Sequence, residues 1–253
     1  MKNIAVRLMF DGSRYHGWQV QKSDVTVAGT LETVLSRLCK HPVTVHGCGR
    51  TDAGVHAMRY CFNFRTSSSI PPERLPLAAN SLLPRDISVQ SSVYAPDDFD
   101  ANLDCIKKEY TYRIFCSRIH NPFYNDRAYF YPHRLDIDAI RRAAEHFVGC
   151  HDFAAVRSVG TVTKTTVRTV HWYEIDEKGP IVEFRVCADG FLYNMARAMA
   201  GTLIYVSEGK ISPDDLPRLL GQKERRLTGP TVPPGGLYLT RLWYTGKIGE
   251  MMG

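Results

Sequence analysis

The feature that most constrains the fold is an order of elements that occurs twice. Ile4, Val6, Leu8 and Phe10 alternate with Ala5, Arg7 and Met9, the period of a strand. Leu31, Val34, Leu35, Leu38 and Cys39 then follow the spacing of one helical face. Residues 43–48 and 59–65 are expected as strands, the second with Tyr60, Phe62 and Phe64 on one side. A helix over residues 73–82, in which Pro76 either sits in the first turn or breaks the helix, and a strand over 86–94 complete β-α-β-β-α-β. Residues 95–104 are acidic and aperiodic and are expected as a linker. Beyond them Ile106, Tyr110, Tyr112, Ile114 and Cys116 predict a strand, and residues 136–148 a helix capped by Asp136 and stopped by Gly149. Strands over 167–175 and 181–188, a helix over 191–206, a short helix opened by Ser212-Pro213 and a strand over 237–244 repeat the order. The expected class is α+β. Two tandem ferredoxin-like halves, residues 1–104 and 105–253, would form a mixed or antiparallel sheet, with helices on one side and a ligand cleft between the halves.

Composition narrows the function. In 253 residues, 44% hydrophobic and 23% charged content excludes a disordered chain. Residues 1–126 hold 15 Lys and Arg against 12 Asp and Glu, and residues 127–253 hold 17 against 14, so each half contributes +3 to a net charge of +6. That favours polyanionic partners. Seven cysteines without a C-x-x-C pair fit reduced thiols in the cytoplasm. Apolar runs such as residues 198–206 fall far short of the roughly 20 residues that span a bilayer, and the first ten residues lack a signal-peptide core, so a soluble protein with no membrane association is expected.

Three stretches carry chemistry. In Gly47-Cys48-Gly49-Arg50-Thr51-Asp52-Ala53-Gly54-Val55-His56-Ala57, three glycines in eight residues mark a backbone that turns tightly or is closely approached. No helix is expected after it, and Asp52 stands where a dinucleotide fingerprint needs glycine, so a Rossmann loop is rejected. Asp52 is a candidate nucleophile, base or ligand, kept ionised by Arg50 and a second arginine, or else a turn-former bonded to its own backbone. His46, Cys48 and His56 are chemically suitable metal ligands, but their spacing matches no zinc motif; no metal is expected, and His46 and Cys48 are expected to pack. In Lys107-Lys108-Glu109-Tyr110-Thr111-Tyr112-Arg113, tyrosines on one face flanked by basic residues suit base stacking beside phosphates, or a core and a rim tyrosine. In Gly190-Phe191-Leu192-Tyr193-Asn194-Met195-Ala196-Arg197, the arginine lies off the apolar stripe and opposes the helix dipole, which fits an acidic partner or a solvated surface.

Together these stretches resemble the pseudouridine synthases, specifically the tRNA pseudouridine synthase A family. The resemblance runs along essentially the whole chain, through Phe10-Asp11-Gly12, His16-Gly17-Trp18-Gln19-Val20-Gln21, residues 49–57, Tyr110-Thr111-Tyr112, residues 149–153, residues 191–197 and Gly236-Leu237-Tyr238-Leu239. It implies that Asp52 is the nucleophile, Arg197 its charge partner, Tyr110 the residue stacked on the target uracil and Arg50 a neighbour of the flipped nucleotide. It also implies an RNA-binding cleft and a homodimer acting without cofactor on uridines at positions 38, 39 and 40 of the tRNA anticodon arm. In that reaction the N-glycosidic bond breaks, the uracil turns and a C–C bond forms to the same ribose, with Asp52 adding to base or ribose. The chain departs from the family pattern at Ala28, where Gln is usual, and at Asn102 and Leu103, where an arginine and an aromatic residue are usual. The departures at Asn102 and Leu103 bear on tRNA affinity or on the set of modified positions, not on the reaction class.

Two other functions compete. A non-catalytic tandem ferredoxin-like RNA-binding protein would have no use for the aspartate and lacks an RNP1 pattern. A hydrolase using Asp52 to activate water would have only His56 nearby as a base.

Overall fold

In the computed structural model, which describes residues 1–158, 160 and 163–253, the elements run β1 (Lys2–Phe10), α1 (Val27–Cys39), β2 (Val45–Gly47), β3 (His56–Thr66), α2 (Leu75–Asn80), β4 (Ile87–Ala95), β5 (Lys107–Cys116), β6 (Tyr129–Tyr131), α3 (Ile137–Glu145), β7 (Gly149–Asp152), β8 (Val167–Lys178), β9 (Ile181–Ala188), α4 (Met195–Ser207), α5 (Leu216–Gly221), β10 (Leu237–Trp243) and α6 (Gly246–Met252). This is an α+β chain with parallel and antiparallel strand pairs.

One unit comprises Met1–Lys108 and Tyr238–Gly253. Here β1 lies between β4 and β3, antiparallel to both, and β2 pairs antiparallel with β3. The register sets Ile4 opposite Phe64, Val6 opposite Phe62 and Leu8 opposite Tyr60. All six side chains are buried, and their one-face pairing is the aromatic core that the alternation predicts. Thr26 caps α1 by accepting from Gly29 N (3.2 Å), and Lys40 ends it in the left-handed conformation. Pro76 sits in the first turn of α2, where its missing N–H removes no helical bond. β10 pairs in parallel with β3, Tyr238 opposite His56 and Leu239 opposite Ala57. A division after residue 104 therefore does not describe this unit. The last sixteen residues belong with the first hundred, where the start of β10 pairs with the start of β3.

The other unit is Glu109–Leu237. Its strands neighbour in the order β5-β9-β8-β7, with β6 parallel to the end of β5. β8 and β9 form a hairpin in which Lys178 faces Ile181, so Gly179 and Pro180 alone make the turn and β8 runs three residues past its expected end. Asp136 caps α3 by accepting from Ala139 N (2.9 Å). α4 differs from its expectation twice. It begins at Met195, because Asn194 adopts φ +60°, and it is buried nearly all round, from Met195 through Val206, where a single apolar stripe was expected. β6 and β7 are additional to the expected elements.

Candidate active site

Asp52 lies in a loop that is irregular from Cys48 to Val55 and leads straight into β3, with no helix following. The loop is fixed through its backbone. Cys48 N donates to Cys61 O (2.9 Å), Val55 N to Asp52 O (3.2 Å), and Tyr60 Oη to Gly49 O. Residues 15–18 clamp it from outside, as Trp18 N donates to Thr51 O and Gly54 N to Tyr15 O, both at 3.2 Å. Gly17 permits that approach: it has φ +80°, and a Cβ there would lie 2.3 Å from Thr51 O. Trp18 in turn stacks on Tyr60 at 4.1 Å. Lys108 Nζ donates to Cys48 O and to Asn102 Oδ1 (3.2 Å). Asn102, one of the departures, thus anchors the cation that holds this loop, while Leu103 is 80% exposed and Ala28 is buried with its N–H on Trp18 O (3.1 Å).

Within the loop Asp52 is half-buried, Arg50 exposed and Thr51 buried. Thr51 Oγ1 has no hydrogen-bond partner among the described residues. His56 is 2% exposed and stacks on Tyr238 at 4.6 Å. Its Nδ1 lies 3.1 Å from both Gly12 N and Asp11 Oδ1. Accepting from Gly12 needs Nδ1 without a proton and donating to Asp11 needs Nδ1–H, so the nitrogen serves one partner at a time. A base so enclosed is poorly placed to activate water, which removes the support for a hydrolase. Cys48 packs, its thiol pushed up to about 11 chiefly by burial, but His46 is exposed because its strand edge turns that side chain outward. Among the described residues no three His, Cys, Asp or Glu side chains converge as a metal-ligand set. None of the helices described there is long and apolar enough to cross a membrane.

In the other unit Tyr110 and Arg197 share one supporting segment. Tyr110, half-buried on β5, meets the Phe191 ring edge to face at 4.9 Å. Tyr112 is the core residue of the pair: its hydroxyl donates to Pro233 O (2.9 Å), and burial raises its pKa well above the ordinary phenol value. Arg197, in the first turn of α4, donates from Nη1 to Asn194 Oδ1 (2.8 Å) and from Nε to Val232 O (2.7 Å). Asn194 is itself held, donating to Ser158 Oγ (2.9 Å). The chain carrying Val232 is pressed onto α4, since a Cβ on Gly201 would lie 1.8 Å from Pro230 O. Arg225 braces the same stretch through Thr228 Oγ1, Gly229 O and Thr231 Oγ1.

The structure therefore sets Asp52 and Arg50 in one pinned loop, while Tyr110 on β5 and Arg197 in α4 each meet a residue of the short stretch 191–194. Gly17, Trp18, Tyr60, Lys108 and Asn194 are supports that residue type did not announce. Gly17, Trp18, Lys108 and Asn194 fall inside the runs 16–21, 107–113 and 190–197 that the sequence singled out, but without a supporting role.

The tRNA pseudouridine synthase family model matches residues 7–104 and 143–245. The tRNA pseudouridine synthase A of Caldicellulosiruptor bescii is 42% identical over 244 residues, covering 96% of this chain and 100% of its own. Those of Acetivibrio thermocellus and Clostridium acetobutylicum are 40% and 39% identical over the same shares. A chain of a solved Cbf5-Nop10-Gar1 complex is similar at a TM-score of 0.40 and 12% identity, over 93% of this chain and 57% of that one. With a family model over most of its length and full-length relatives at this identity, the chain belongs to the tRNA pseudouridine synthases, which are isomerases.

Proposed function

We propose that the protein isomerises uridine to pseudouridine at positions 38, 39 and 40 of the tRNA anticodon arm, with Asp52 as nucleophile and no cofactor. The observation that carries this is the loop itself: a half-buried carboxylate on a backbone held by Trp18, Tyr60 and its own turn. A nucleophile gains from such fixing, because little orientational freedom is left to lose when the substrate binds. Arg197 serves as the charge partner that keeps Asp52 ionised, Tyr110 stacks on the uracil, and Arg50 lies beside the flipped nucleotide. Flipping costs a few kcal/mol, offset by stacking and phosphate contacts. The strand order β4-β1-β3-β2 of the first unit supports the ferredoxin-like reading of the two halves. In this reading the enzyme works as a cytoplasmic homodimer.

The test is Asp52→Asn, assayed with an anticodon stem-loop transcript carrying uridines at the three positions and no additive. Pseudouridine formation should fall below detection while RNA binding persists. Substantial turnover by a folded, RNA-binding Asp52→Asn protein would overturn the assignment.

A further inference from the structure

Strands that run parallel deliver their ends to the same edge, and β5 and β6 do so with Cys116 opposite Tyr131. Ser117-Arg118 and Pro132-His133-Arg134 therefore leave the sheet side by side, Ser117 N donating to Tyr131 O (3.2 Å). With Cys116 they line a cavity of about 460 Å³. Arg118 and Arg134 are exposed, and neither has an ion-pair or hydrogen-bond partner among the described residues. The nearby carboxylates are engaged elsewhere: Glu208 with Tyr131 Oη (3.0 Å) and Lys210 (2.5 Å), Glu177 with Arg141 (3.7 Å). The Cys116 thiol, pushed up to about 11 mainly by burial, is neutral and adds no negative charge. Two guanidinium groups at one concave site, with no ion-pair partner among the described residues, suit an external anion. Their planar donor forks match phosphate oxygens.

We propose that this cleft binds the phosphodiester backbone of the substrate RNA, at a place distinct from the residues that act on uridine. The inference rests on the reading that the substrate is tRNA. Its purpose is affinity: the cleft adds phosphate contacts without touching the reacting nucleotide.

The test compares wild type with Arg118→Gln/Arg134→Gln and with the charge-preserving Arg118→Lys/Arg134→Lys. Dissociation constants for unmodified tRNA are measured across a salt titration, with folding checked by circular dichroism and melting. The Gln variant should lose about 1 to 2 from the magnitude of the log–log salt slope, since each neutralised phosphate accounts for about 0.7 to 0.9. Its Kd near physiological salt should rise about tenfold, with turnover at saturating RNA unchanged, and the Lys variant should keep most of the slope. An unchanged slope in a folded Gln variant overturns the proposal. A changed oligomeric state with unaltered RNA binding also overturns it, by assigning the cleft to a protein contact. Failure of the wild type to bind tRNA would instead overturn the functional reading itself.

Discussion

Beside Asp52, Thr51 places a hydroxyl in the protein interior with no hydrogen-bond partner among the described residues. A polar group left this way costs about 1–3 kcal/mol, whereas a methyl of similar size in the same position costs nothing in lost hydration. Thr51→Val should therefore raise stability by about 1 kcal/mol, which for a chain of this size is a melting temperature higher by about 2–4 °C. Turnover should stay close to wild type, because the backbone that carries Asp52 is held through Thr51 O and Asp52 O and not through the Thr51 side chain. Thermal melting and a uridine isomerisation assay check both halves of the expectation. A lower melting temperature would mean that the hydroxyl supports the fold. A large loss of turnover at unchanged stability would mean that it meets the nucleotide.

Elements long enough to repeat a period were legible in the sequence, and short ones were not. β1 and β3 announced themselves because Ile4, Val6, Leu8 and Phe10 on one, and Tyr60, Phe62 and Phe64 on the other, recur at every second residue, and the Asp136 cap follows directly from side-chain chemistry. β6 and β7, of three and four residues, offer too few positions for a period of two to show. The start of α4 was missed for a different reason: nothing in the identity of Asn194 states that its backbone is left-handed, although Asn tolerates that conformation. The site divides the same way. Residue chemistry left Asp52 open as a turn-former, Tyr110 as a rim tyrosine and Arg197 as a solvated arginine, and the resemblance alone made them and Arg50 candidates, while supports such as Lys108 and Tyr60 act through contacts that no local pattern encodes. The assignment of β10 to the first unit is likewise a long-range fact, and it has a consequence. α6 follows β10 and packs on β1 and β4, burying Ile248 and Met252, with Met252 O accepting from Arg59 (3.3 Å). Ile248→Ala should cost about 2 kcal/mol, at the low end for a buried isoleucine because a terminal helix relaxes readily. Urea unfolding followed by circular dichroism should report the loss. An unchanged midpoint would show that α6 contributes no stability to the unit that contains Asp52.

Across the whole molecule the excess of basic residues is not gathered into a tail, since each sequence half carries the same surplus of three. A tail would bind any polyanion through a mobile, sequence-local set of charges; an excess spread over folded surface instead demands an extended ligand that meets several parts of it. Folded tRNA is such a ligand. Every phosphate that a lysine or arginine neutralises releases condensed counterions, so affinity falls with salt in proportion to the number of such contacts. tRNA binding by the intact protein should weaken steeply as monovalent salt rises from low to physiological concentration, with a log–log slope of several. The isomerisation rate at saturating RNA should change far less, because the bonds broken and formed lie within one nucleotide and involve no ion exchange. Titrating salt in a filter-binding assay, alongside single-turnover isomerisation at RNA concentrations held above each Kd, separates the two quantities. A Kd that stays flat over that range would mean that base stacking and hydrogen bonds supply the affinity, and that the positive charge of both halves plays no part in holding the substrate.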